Sequence, residues 1–250
     1  MSGHSKWSTI KRKKAAVDAK RGKIFSRLAK EIMVAAKIGG GDPAGNTRLR
    51  TALNLAKAAN MPSDNVDRAI KKGTGELPGV IYEEQRYEGY GPGGVGIIVD
   101  ILTDNKNRTV AEIRHILTKH GGSMAETGAV SWNFESKGLI VISKEGLDDD
   151  AIFEKAIEAG AEDVDTEGDM YEITTEPTEL HTVTMALEEM GLKIQEAKLT
   201  MVPKTSMEVD PKQVLSVLKV MEYLEDHDDV QDVFTNMDIS EEAMAAAMEE

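Results

Sequence analysis

The 250-residue chain contains no cysteine. That absence excludes a disulfide framework, thiolate catalysis and any cysteine-ligated zinc or iron–sulfur centre. Aromatic residues make up only 4% of the chain, and no apolar run approaches the ~20 residues of a membrane span. The opening MSGHSKWSTIKRKK has no apolar core of the kind an export signal needs. It is basic and serine-containing, which imitates a mitochondrial presequence. With 40% hydrophobic and 30% charged residues the chain can bury real cores, so wholesale disorder is excluded. The expectation is a soluble, cytoplasmic protein of roughly two domains.

The charge is uneven. The formal net charge of −14 hides a basic N-terminal segment on an acidic remainder. Residues 1–75 hold 17 Lys+Arg and 5 Asp+Glu, a net of +12, while the other 175 residues carry −26. Asymmetry of this size points to a nucleic-acid or other polyanionic partner for the basic part.

Apolar spacing predicts a helix over 15–37, with Val17, Ile24, Leu28, Ile32 and Ala35 at 3.6-residue intervals. Gly39-Gly40-Gly41 ends it. Asn46 or Thr47 caps a second helix through Ala59, and Pro62-Ser63-Asp64 opens a third that Gly73 closes. Residues 78–94 read as a Gly/Pro-rich linker. From Val95 strands and helices alternate: strands at 95–102, 129–134, 139–143, 170–174, 194–201 and 230–236, and helices at 108–120, 149–159, 178–190 and 211–224. The economical fold is multidomain α+β. A basic three-helix domain (1–77) and the linker precede two small ferredoxin-like domains, one (136–206, acidic) inserted in the other (95–135 plus 207–239), with a tail at 240–250.

Lys13, Lys20, Lys23, Arg27 and Lys30 fall on one helical face, and Lys6, Lys11, Arg12, Lys14 and Arg21 extend its field. Cations at this density neutralise phosphates and release counterions. These ten residues are the candidate nucleic-acid contacts. Arg12-Lys13-Lys14 also imitates a nuclear-localisation patch. A second candidate set comprises Trp7, for base stacking, with Tyr87, Tyr90, Asn105 and Arg108 near a cleft between the α+β domains. For the 104–109 segment turn chemistry with N-capping by Asn107 or Thr109 is an equal reading, beside an Arg108 that reaches a phosphate from a strand–helix loop.

Other patterns dissolve on inspection. Gly89 to Gly94 spells G-x-G-x-x-G, but a strand follows it where a dinucleotide site needs a helix N-terminus. Asp163 to Gly168 begins like a calcium loop, but its twelfth position is Thr174 instead of a carboxylate, so an acidic turn is expected. The five histidines form no metal or catalytic motif. No catalytic residue, metal or cofactor is expected.

Gly3-His4-Ser5-Lys6-Trp7, Lys14-Ala15-Ala16, Asp18 to Lys23, Gly39 to Pro43, Asn60-Met61-Pro62, Tyr87 to Pro92, Thr103-Asp104-Asn105, Asn107-Arg108-Thr109 and Gly121-Gly122 together resemble the YebC/PmpR family. The likeness runs over almost the whole chain and is firmest through residue 134. It implies a cytoplasmic bacterial protein of one helical and two α+β domains, with an unprocessed N-terminus in place of a presequence. It further implies non-enzymatic control of gene expression. Family members have been described as DNA-binding transcriptional regulators, a mitochondrial relative activates translation, and bacterial members have been linked to ribosomes stalled on proline-rich stretches.

The leading expectation is therefore a DNA-binding transcriptional regulator that contacts phosphates through its basic helix. The alternative is a translation factor that binds the ribosome or ribosomal RNA, since structured RNA suits phosphate- and shape-directed contact. An enzyme with an unrecognised site comes last. A fourth possibility is that the basic segment folds onto the acidic body and opens only to a competing polyanion.

Overall fold

A computed structural model describes residues 19–166 and 170–239, with side chains from residue 22. Three helices come first: α1 (Ala19–Gly39), α2 (Thr47–Ala58) and α3 (Ser63–Gly73). They bury Ile32, Ala35, Ala36, Leu49, Ala52, Ala56, Met61 and Ala69 in one core. Asn46 caps α2 by accepting from Leu49 N, and its amide donates to Ala35 O and Gly40 O. At Gly73 an added Cβ would lie 2.4 Å from Met33 O, so glycine sets the close approach of α3 to α1. Ile24, expected on the apolar stripe, is 45% exposed, and Phe25 packs inward instead.

The first sheet runs in the order β3-β1-β2-β9, built from β1 (Glu83–Tyr90), β2 (Gly96–Thr103), β3 (Ser123–Met124) and β9 (Val230–Thr235). Helices α4 (Lys106–Lys119) and α7 (Pro211–Glu225) cover one face. Between them Val95, Ile97, Val99, Ile101, Ile113, Leu117, Val217, Met221 and Val233 form the largest core.

β1 corrects the reading of 78–94 as a linker. Its sequence, EEQRYEGY, is too polar to announce a strand, yet each charge has a partner. Glu83 pairs with Lys106, Glu84 with Arg48 and Arg86 with Asp100, and Glu88 takes the amides of Gly128, Val130 and Ser131. Those three amide bonds hold 128–131 as a loop, so the strand expected at 129–134 is absent. A 3₁₀ turn at Ser131–Asn133 leads instead into β4 (Phe134–Ser143).

The second sheet, β5-β6-β4-β7, is formed by β4, α5 (Asp149–Ala159), β5 (Asp163–Asp165), β6 (Met170–Thr175), α6 (Leu180–Glu189) and β7 (Ile194–Pro203). Asp163–Asp165, expected as an acidic turn, pairs antiparallel with β6. This βαββαβ unit lies within the first sheet's connectivity, because β9 returns to pair with β2. Ile98, Val130, Phe134 and Phe234 form a further small core, with Met201 against it, where the two sheets meet. A short parallel ribbon of β8 (Met207–Glu208) and β10 (Met237–Asp238) closes the described chain. The architecture is mixed α+β, with a helical unit in front of two antiparallel sheets. No described helix is long and apolar enough to cross a membrane.

Candidate nucleic-acid interface

The described cations of the basic stripe on α1 are engaged by the body of the protein. Lys23, Arg27 and Lys30 turn toward the corner between α7 and β9, residues 225–229. Lys23 Nζ donates to Asp226 O at 2.9 Å and to its Oδ1 at 3.2 Å, and Arg27 donates to Glu225 O. Lys30 Nζ donates to Asp228 O at 2.9 Å and to Asp229 Oδ1 at 2.7 Å. Lys30 is only 9% exposed and its ammonium lies 5.3 Å from the Tyr82 ring centroid, a cation–π contact. Of the ten candidate phosphate ligands, Lys6, Lys11, Arg12, Lys13 and Lys14 lie outside the described residues. Lys20 and Arg21 lie on the α1 backbone, with side chains outside the description.

Asp229 is the centre of the corner. Its Oδ2 accepts from Arg108 Nη2 at 2.7 Å, Thr109 Oγ1 at 2.8 Å and Thr103 Oγ1 at 3.2 Å. Burial works to raise the carboxyl's pKa, but the hydrogen bonds from Lys30, Arg108 and Thr109 outweigh it and hold the group well below the usual carboxylate range. One side chain thus joins α1, the end of β2, the start of α4 and the α7–β9 corner. A second tie is Arg48, which is bidentate to Glu31 at 2.6 and 2.9 Å and reaches Glu84.

The second candidate set is not brought together. Asn105 caps α4, accepting from Arg108 N at 3.1 Å. Arg108 is committed to Asp104 and Asp229. Tyr90 lies at the opposite end of β1, paired with Gly96 where Glu83 pairs with Thr103, and Tyr87 packs against the first sheet's core. Trp7 lies outside the described residues. The Gly89–Gly94 segment leads into β2 after a 3₁₀ turn, with Gly93 and Gly94 at φ 77° and 84°, and no helix opens there to receive a pyrophosphate.

Two features escape a reading of the sequence. Lys57, Arg68, Lys71 and Lys72 on α2 and α3 are exposed and make no ion pair among the described residues. Arg68 and Lys72 rim an apolar hollow of about 230 Å³ floored by Phe25, Met33 and Met61, with no acidic lining residue. As ordinary helix-terminal lysines, Lys71 and Lys72 carry no special signal in the sequence. The other is Trp132, 69% exposed, whose indole N–H donates to Ala129 O at 2.9 Å. Tyr90 donates to the same carbonyl at 3.2 Å, so two aromatic rings share one edge of the body.

Among the described residues no group of three His, Cys, Asp or Glu side chains could hold a metal. What the fold defines is a basic helical bundle clasped to an acidic α+β body.

Residues 5–76 match the family described as the TACO1/YebC protein N-terminal domain, and 82–237 the TACO1/YebC second and third domain. The chain belongs to the TACO1/YebC family. It is 57% identical over 248 residues to a protein of Geotalea uraniireducens, covering 99% of this chain and all of that one. It is 58% identical, with the same coverage, to one of Geobacter sulfurreducens. Both are named probable transcriptional regulatory proteins, which supports a regulatory role and points away from catalysis. The fold is similar to the crystal structure of a conserved hypothetical protein from Aquifex aeolicus. That match has a TM-score of 0.85 and 48% identity, covering 91% of this chain and 94% of the other.

Proposed function

We propose that the protein is a non-enzymatic, DNA-binding regulator of transcription that engages the phosphate backbone through its helical bundle. The observation that carries this reading is the +12 charge of residues 1–75, part of it displayed as free cations on α2 and α3. Lys57, Arg68, Lys71 and Lys72 join the N-terminal cations as the phosphate contacts, while Lys30 is held by Asp229. Phosphate contacts position a protein without specifying sequence. Of two asparagines that could read a base edge, Asn46 is buried in its capping role and Asn54 is exposed on α2 with nothing that fixes it toward a groove. The reading is therefore of backbone-directed binding. If about six phosphates are neutralised, log affinity falls with log salt at a slope of about −5 on duplex DNA.

A second reading has its own support. Tyr90 and Trp132 present adjacent aromatic surface, and stacking on unpaired bases is how single-stranded and looped RNA is held. That combination suits a ribosome- or ribosomal-RNA-binding translation factor acting on ribosomes in the cytoplasm.

Ribosome pelleting over a salt series with competing duplex DNA separates the two. An Arg68→Glu/Lys71→Glu/Lys72→Glu variant runs beside the wild type, because these positions leave the α1 contacts untouched. DNA retention by the wild type alone, without co-sedimentation, supports the transcription reading. Co-sedimentation that survives DNA and is lost in Trp132→Ala supports the translation reading. Equal binding by the triple variant in both assays removes Arg68, Lys71 and Lys72 from either contact surface.

A further inference from the structure

Glu225, Asp226, Asp228 and Asp229 put four acids in a five-residue run at the C-terminal end of α7. The last carbonyls of a helix are unpaired within it and carry the negative end of its dipole. Lys23, Arg27 and Lys30, spaced four and three apart, meet the carbonyls of Glu225, Asp226 and Asp228 and the carboxylates of Asp226 and Asp229. A line of acceptor oxygens, three carbonyls at a helix's negative end and two carboxylates, received by successive cations of one helix face resembles what a phosphodiester backbone would offer the same face.

We infer that the α7–β9 corner is an internal polyanion mimic that latches the basic face of α1 to the body, and that a nucleic-acid backbone binds this face by displacing it. The inference rests on the nucleic-acid reading above and adds its regulation: affinity is set by competition within the chain.

The contacts grade from weak to strong. Lys23 and Asp226 keep 43% and 59% of their side-chain surface, so that pair is screened and contributes little. Lys30 and Asp229 keep 11% and 6%, and form the inner lock. Breaking a buried pair is normally prohibitive because it strands a charge. Here Asp229 retains Arg108, Thr103 and Thr109 when Lys30 leaves, while Lys30 passes to a phosphate. The hinge is the stretch between α3 and β1, which holds no helix or strand and includes Gly75, Pro78 and Gly79. A polyanion therefore peels the latch from its exposed end, and the rest of the corner stays satisfied.

The absence of native cysteine gives a clean test. A Lys23→Cys/Asp226→Cys variant is bridged across the latch with a short bismaleimide, and the same variant with each thiol capped separately is the control. Both forms lack the same charges. The probes are a fluorescein-labelled duplex DNA and a labelled hairpin RNA, read by anisotropy at one salt concentration. The bridged form is expected to bind at least one probe roughly tenfold more weakly than the capped form. Asp226→Lys, at an exposed position that repels Lys23, is expected to bind several-fold more tightly than the wild type. Equal affinity of bridged and capped forms, with both binding, overturns the latch and leaves the nucleic-acid reading standing. No binding of either probe by wild type, capped or bridged protein overturns both.

Discussion

Asp229 shows how much one side chain decides here. It is 4% exposed and receives cations from α1 and α4 together with two threonine hydroxyls. Asp229→Ala leaves Lys30 buried without its partner, so a loss of about 3–5 kcal/mol is expected, read as a lower urea midpoint at neutral pH. The pH dependence has a definite sign. Because the folded carboxyl lies below its ordinary 3.8, its stabilisation is complete above that value and fades as pH falls beneath it. The gap between the urea midpoints of wild type and Asp229→Asn should be constant above the ordinary 3.8 and narrow progressively as pH falls below it; parallel curves would show that the carboxylate charge contributes nothing. At this scale a cap before α4 is legible but its residue is not: the sequence offers Asn107 or Thr109, and because the helix begins at Lys106 the cap is Asn105. The partner of Arg108 is not legible either, because Asp229 lies 121 residues away.

Elements were legible where apolar spacing is regular. Helix α5 lies at the expected 149–159, and α7 and β9 fall within a residue of their expected ends. β1 carries no such spacing, because its charges outnumber its apolar residues and long-range ion pairs replace hydrophobic burial. At 129–134 hydrophobic composition suggests a strand, but the Glu88 carboxylate collects three amides and fixes a loop. Capping gives the test at this scale. Asn46 is 6% exposed, caps α2 and also satisfies the carbonyls of Ala35 and Gly40. Asn46→Ala should cost about 2–3 kcal/mol, against about 1 kcal/mol for the exposed single cap Asn105→Ala, measured by thermal unfolding. Equal costs would mean that the two carbonyl bonds of Asn46 add nothing.

For the whole molecule the question is what holds the helical unit to the sheets. Screening acts on the exposed Lys23–Asp226 pair and far less on the buried Lys30–Asp229 pair, so salt alone should not open the wild type. Small-angle scattering is expected to give the same radius of gyration at low and high salt for the wild type and a larger one for Lys30→Ala. Expansion of the wild type by salt alone would make the contact a surface attraction with no inner lock. Charge division, helical start, mixed α+β class, absence of thiol chemistry and family resemblance can all be read from the order of residues alone. Each follows from composition, periodicity or local motif, which are properties of neighbouring residues. Which cations are committed, and which make no ion pair among the described residues, depends on long-range packing. Lys23, Arg27 and Lys30 look like Arg68, Lys71 and Lys72 in a string of letters. The difference between them is the acidic corner some 200 residues further on, brought into hydrogen-bonding range by the return of β9 to its sheet.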